Sequence, residues 1–290
     1  MLFRSQKPHY EYLRKKWKSR AKASGESLID KHLRHIALGS LGGLMLLPTS
    51  GLSLSRSHVL ADATTTDVTA SLDTNRLLAA QLKDKVPGEV RPLTDDENKS
   101  ISDLLSKETG LKVSSELEGK SLNRTYGLMG AEQHLYRYPG DTVYDHSKDA
   151  RDWAMYGPSG IAPGLGAWGY FAQSKEQMTQ KDEDREKWYI AVQTFMSPGF
   201  SENVAAYRDF YKYRKMLVVN PQTGQAVVAD IADAGPSEWT GKHLGGSPEV
   251  MQAVGLYQGP RQGAVLYFFL DDPSDQIPLG PVKIPERAQS

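Results

Sequence analysis

The sequence predicts a mainly β domain, a small barrel with short helices, in the later part of the chain. Three stretches predict it. Met216-Leu217-Val218-Val219 is a short apolar run, and Ala226 to Ile231 is a second, β-branched one. Between them, Asn220-Pro221-Gln222-Thr223-Gly224 holds a Pro that presets a turn and a Gly that tolerates positive φ, so the whole reads strand, tight turn, strand. Ala264 to Leu270 is an apolar run of strand length, the pattern of a strand buried in a barrel. Gly164-Leu165-Gly166-Ala167-Trp168-Gly169-Tyr170-Phe171 mixes glycine with large aromatics, which suits a barrel strand approached closely by another backbone.

In chain order, residues 1–34 are basic and aromatic, with ten Lys or Arg against Glu11, Glu26 and Asp30. Contact with anionic lipid on the cytoplasmic side gives such a head a purpose. Ile36 to Leu47 then runs for twelve residues without a charge, the length of a signal-peptide core. Counted through Pro48 to Leu54 the uncharged span is 19 residues, long enough for a membrane helix. The basic flank before it and the polar residues after it place the later part of the chain outside the cytoplasm. Segment 35–54 is thus expected to be a signal or transmembrane segment, cleaved or kept as an anchor, and the protein to be exported.

Residues 55–125 read as a linker with little periodicity, apart from a helix near Asn75 to Leu82 and a clearer one after it. In the second, Thr94 and Glu97 make a capping box, Ile101, Leu104 and Leu105 an apolar face, and Gly110 the end. The barrel domain is placed at 126–275, with its strands expected between Trp153 and Leu270. Lys175 to Lys187 is charged and reads as a solvated loop or short helix, and Trp188 to Gln193 as a strand. Ser201 is expected to cap a helix carrying Val204, Tyr207, Phe210 and Tyr211; Ser247 caps another, with Pro248 in its first position, running to Val254. Pro278, Pro281 and Pro285 make 276–290 a tail outside any sheet.

Composition excludes several chemistries. Lys plus Arg and Asp plus Glu both total 35, so no global field draws nucleic acid. The absence of cysteine removes disulfides and thiolate nucleophiles. The seven histidines are scattered without a metal-binding spacing, so no metal and no cofactor is expected. Gly160 to Gly166 lacks the strand-before, helix-after context of a dinucleotide loop.

Three further pieces have a specific order: Val219-Asn220-Pro221-Gln222-Thr223-Gly224, then Asp233-Ala234-Gly235-Pro236, then Ser247-Pro248-Glu249-Val250-Met251 with Ala253-Val254-Gly255-Leu256. This order resembles the core of the double-psi β-barrel family of rare lipoprotein A and the expansins, over about 40 of the 290 residues. The resemblance implies a six-stranded double-psi β-barrel, with its first strand in the Gly164 to Phe171 region. It also implies a lytic transglycosylase-like enzyme that cleaves peptidoglycan strands, with Asp233 as general acid at the groove. The alternatives are a non-catalytic, expansin-like module that binds peptidoglycan or another wall polysaccharide, and a barrel kept as a scaffold for a protein partner. The chain departs from the family at one point: where expansin-like sequences read His-Phe-Asp-Leu-Ser, it has His243-Leu244-Gly245-Gly246-Ser247, so the second family acid is Gly245.

A lone acid suits lytic cleavage, because one carboxyl can act as acid and then base when an internal hydroxyl attacks, whereas hydrolysis normally uses two. Asp233 could equally accept backbone N–H bonds in the turn before Gly235. Strict alternation puts Ala229, Ile231 and Asp233 on one face and leaves Asp230 on the other, as a solvated residue. Trp168, Tyr170 and Trp239 offer flat faces to sugar rings, and Glu238 and His243 lie close in sequence on the following loop.

Overall fold

The computed structural model describes residues 74–285. The basic head, the apolar segment 35–54 and the first part of the expected linker lie outside the described residues.

Helix α1 (residues 74–83) opens the described chain, and α2 (Asp95–Thr109) follows. The capping box of α2 forms as its residues dictate: Thr94 Oγ1 accepts from the Glu97 amide at 3.2 Å, and Glu97 Oε2 accepts from the Thr94 amide at 2.8 Å. Its end is Gly110, at φ 72°. Short β1 (Val113–Ser114) and the hairpin β2 (Glu116–Leu117) and β3 (Lys120–Ser121) lead into β4 (Tyr126–Ala131). A long excursion carries α3 (Ala150–Tyr156) and α4 (Gln180–Lys187). Then come β5 (Tyr189–Val192), α5 (Val204–Tyr211), β6 (Lys215–Val219), β7 (Ala226–Ala234), β8 (Leu244–Gly246), α6 (Pro248–Ala253), β9 (Gln262–Leu270) and β10 (Gly280–Pro281).

Six of these strands close into a mixed barrel in the order β4–β9–β6–β7–β5–β8 and back to β4. The β4·β8 and β5·β7 pairs are parallel, and the other four are antiparallel. Met216, Val218, Val227, Ala229, Ile231, Val265, Tyr267 and Phe269 fill the interior, together with Met129, Ile190 and Leu244. Their neighbours Leu217, Val219, Val228, Leu266 and Phe268 point outward, where Leu78, Leu82, Ile101 and Leu105 of the two N-terminal helices cover them. Burial on both faces is why these strands read as continuous apolar runs rather than as alternation. The stretch expected as a linker thus forms part of a core from residue 74 on.

Several expectations are corrected. Gly164 to Phe171 is a loop, and the first barrel strand is β4, well before Trp153. The glycines there do serve close approach, since a Cβ on Gly166 would meet the Ala232 carbonyl at 3.0 Å, but a loop makes that approach from outside the barrel wall. The cap of α5 is Asn203 rather than Ser201, its side chain accepting from the Ala206 amide at 3.1 Å. Ser247 does cap α6 (Ser247 Oγ accepts from the Val250 amide at 3.1 Å), with Pro248 in the first turn. The proline-rich tail does join the sheet. On one edge of β7, β5 covers only Asp230 onward, which leaves Val227 and Val228 free to pair with Pro281 and Gly280. Pro281 is tolerated there because it stands on an edge strand.

Candidate functional site

The site lies on the outer wall of the barrel, where β7, β5, β8 and β4 run side by side. Ala191 pairs with Asp233 on one side and with Gly245 on the other, and Gly245 pairs with Gly130. Residues paired across strands share a face, so Asp233, Ala191, Gly245 and Gly130 form one row. Three of the four have small side chains or none. They make a floor.

Asp233 reaches this row through a bulge. Ile190 pairs with Ile231, but the next residue, Ala191, pairs with Asp233, so Ala232 is the extra residue. A bulge re-aims the side chains that follow it. It takes Asp233 off the inner face that strict alternation from Ile231 assigns it. Its Oδ1 accepts from the amides of Ala234 and Ala167, both at 2.8 Å, the second from the loop laid over the wall. Burial pushes the Asp233 carboxyl above the ordinary range, against these two bonds, which pull it down.

Glu132 fills the space above Gly245. It follows β4 directly, its amide donating to the Gly246 carbonyl at 2.8 Å. A Cβ built on Gly245 would stand 2.3 Å from both Cγ and Oε1 of Glu132. A carboxylate thus occupies the place of a residue-245 side chain, supplied by another strand. Burial pushes the Glu132 carboxyl up, Lys242 draws it down, and Asp233 pushes it up again. Lys242 lies over the next glycine in the row: a Cβ on Gly130 would meet its Cε at 2.4 Å, and its Nζ donates to the Ala131 carbonyl at 3.3 Å. Acid, acid and amine therefore stand along one floor. Neither Glu132 nor Lys242 belongs to any motif in the sequence; only the register of β4 against β8 brings them here.

The other expected residues separate into three places. His243 faces β4: its Nδ1 accepts from the Leu128 amide at 2.8 Å and its own amide donates to the Leu128 carbonyl at 2.9 Å. Burial, and then Arg124, hold its pKa below the ordinary histidine value. That geometry makes it a tie between strands. Trp168 is half-buried and donates from Nε1 to the Ile231 carbonyl at 2.9 Å, so it covers the wall near Asp233. Tyr170 is 41% exposed, and Trp239, in a short 3-10 turn with Glu238 midway along the loop after β7, is 88% exposed. Asp230 is not solvated. It is 1% exposed, its Oδ2 lies 3.7 Å from Arg185 Nε, its Oδ1 has no hydrogen-bond partner, and burial raises its pKa well above the ordinary value. Helix α4, through Arg185, and the C-terminal stretch around Asp275 and Ile277 cover the face that alternation leaves open.

Two of the scattered histidines also converge. His134 and His146 meet Glu186, with one ligand atom from each within 4.8 Å of the others. The three come from separate segments of the long excursion, so chain spacing could not reveal them.

Among the described residues, no helix is long and apolar enough to cross a membrane. Comparison with known proteins gives no match: no family model fits the chain, and neither a curated protein nor a solved structure matches it.

Proposed function

We propose that this barrel is a double-psi barrel resembling rare lipoprotein A, and that it acts outside the cytoplasm as a lytic transglycosylase on peptidoglycan glycan strands. The observation that carries the reading is Glu132 standing over Gly245, beside Asp233 on the same floor. The acid that the sequence lacks at position 245 has a spatial replacement. The two parallel strand pairs among six, with the Asn220 to Gly224 turn between β6 and β7, support the double-psi reading of the barrel.

The chemistry follows from the two carboxyls. Both backbone bonds to Asp233 fall on Oδ1, which leaves Oδ2 to hold a proton, and burial favours the protonated form. Asp233 gives that proton to the glycosidic oxygen as the bond to the anomeric carbon breaks. The sugar's own 6-hydroxyl then attacks the anomeric carbon and returns its proton to the Asp233 carboxylate, closing an anhydro ring. Glu132 faces the positive charge that develops on the ring in the oxocarbenium-like transition state. Trp239 and Tyr170 offer exposed faces for neighbouring sugars.

A second reading has its own observation. Two amides on one Asp233 oxygen are also what a carboxylate that only holds a turn would show. In that case the protein is a non-catalytic wall-binding module. The test is incubation with purified peptidoglycan. Soluble anhydro-sugar products support the enzyme. Co-sedimentation without product supports the module, and neither outcome would leave the glycan reading without support.

A further inference from the structure

The cluster of His134, His146 and Glu186 is drawn from three separate segments. His134 lies just beyond β4; its amide donates to the Gly160 carbonyl at 3.0 Å, and its carbonyl accepts from Ala162 at 2.8 Å. His146 ends a 3-10 turn, Val143–His146. Glu186 sits on the covered face of α4, whose first turn is fixed by the Thr179 and Asp182 capping box. The three side chains are only 1–4% exposed. His134 Nδ1 is 3.3 Å from Glu186 Oε1, and His146 Nδ1 is 3.0 Å from Glu186 Oε2. His146 Nε2 is 3.0 Å from Asp141 Oδ2, and Arg137 holds Asp141 from Nε at 3.0 Å and Nη2 at 2.9 Å.

We propose that this cluster binds one divalent metal ion of the zinc class, with His134, His146 and Glu186 as ligands and Asp141 as the outer carboxylate that orients His146. Two imidazoles and a carboxylate are the donor set such an ion prefers. At zinc bond lengths of about 2.0–2.1 Å, tetrahedral donors stand roughly 3.3 Å apart, which both nitrogen–oxygen separations approach. A metal-bound histidine characteristically gives its second ring nitrogen to a carboxylate, as His146 does to Asp141.

The rival account is a proton: a charged His146 between two carboxylates also satisfies its own nitrogens. It leaves Glu249 Oε2, a buried oxygen nearby, without a hydrogen-bond partner. Glu249 lines the same 110 Å³ cavity as His146 and Glu186. Three buried carboxyl groups here, Asp141, Glu186 and Glu249, face one buried guanidinium, Arg137, and a divalent ion balances that set. The ion would tie the excursion's start to α4. Glu132 lies two residues before His134, so its place over Gly245 would depend on that tie.

The test uses the full-length protein freed of metal with a chelator. Titration with Zn²⁺, followed by calorimetry, should give one ion per chain and a higher melting temperature. Co²⁺ in its place should show the visible absorption of a four- or five-coordinate nitrogen–oxygen site. His134→Ala and Glu186→Gln should weaken Zn²⁺ binding by 10-fold or more, and Asp141→Asn by about 10–100-fold. Asp233→Asn, whose change lies on the barrel wall opposite Ala191, should bind as the wild type does. Far-ultraviolet circular dichroism establishes that each variant is folded; if none is, the wild-type Co²⁺ spectrum decides. A metal-free protein that takes up no Zn²⁺, a Co²⁺ complex with the spectrum of the hexahydrate, or folded His134→Ala with unchanged affinity overturns the proposal.

Discussion

Asp233 and Asp230 stand three residues apart on one strand, and both carboxyls are pushed up by burial, yet only Asp233 joins the row of Ala191, Gly245 and Gly130. Under the proposed function the consequence for Asp233 is catalytic. A general acid must carry its proton at working pH, so activity should fall as pH rises through its raised pKa, later than an ordinary carboxyl would allow. Asp233→Asn keeps size and hydrogen-bonding reach but donates no acid proton, and product release from peptidoglycan should drop by about 10² or more. Equal rates for the two proteins would remove Asp233 from the reaction. For Asp230 the consequence is stability. Its folded pKa lies above the unfolded one, so between the two values the folded state binds more protons and stability falls as pH rises. Asp230→Asn is spared that loss. Its melting temperature relative to wild type should therefore climb as pH rises above about 4, the ordinary carboxyl range, and parallel melting curves would count against this account.

At the scale of elements, the row of Asp233, Ala191, Gly245 and Gly130 is made by register rather than by motif. The strand–turn–strand at Met216 to Ile231 was legible, because a Pro-and-Gly turn between two apolar runs has few other solutions. The bulge at Ala232 was not legible, since nothing in Ile231-Ala232-Asp233 marks an extra residue, and it alone decides which face Asp233 takes. The Glu132 and Gly245 pair was hidden for a similar reason: the two are far apart in sequence, and only the parallel β4·β8 pairing brings them together. That pairing makes a testable exchange. Gly245 has no positive φ, so an Asp there meets no backbone objection, only the Glu132 side chain. Glu132→Ala should lose most activity by emptying the place over the floor. Adding Gly245→Asp to that variant should restore part of it, while Gly245→Asp alone should push Glu132 aside and lower the rate. Assays of all three variants on peptidoglycan check this, and a double variant no better than Glu132→Ala would show that the carboxyl in that place is not used.

Across the whole molecule, the barrel is not self-sufficient, and its covering explains what the sequence concealed. Asn75 to Leu82 holds Leu77, Leu78, Ala79, Ala80 and Leu82 but is short and flanked by sequence without periodicity, so it reads as a helix within a linker. Its partner surface is the outward face of β6, β7 and β9, which it covers together with α2 and the C-terminal Ile277, Leu279, Val282 and Ile284. Leu78, Leu82, Ile101 and Leu105 are each almost wholly buried there. Burying four such side chains is worth about 6–12 kcal/mol, at roughly 1.5–3 kcal/mol each. A domain's entire stability is about 5–15 kcal/mol, so losing that cover should be decisive. A chain beginning at Asn123 is expected to lose its cooperative thermal transition and to bind a hydrophobic dye, while one beginning at Thr74 keeps a single sharp transition. Leu105→Ala in the longer chain should cost about 2–5 kcal/mol, as cavities in packed cores do. If the chain from Asn123 melts as sharply and as high as the chain from Thr74, the two helices are passengers, and the outward leucines and phenylalanine of the barrel must find their cover elsewhere.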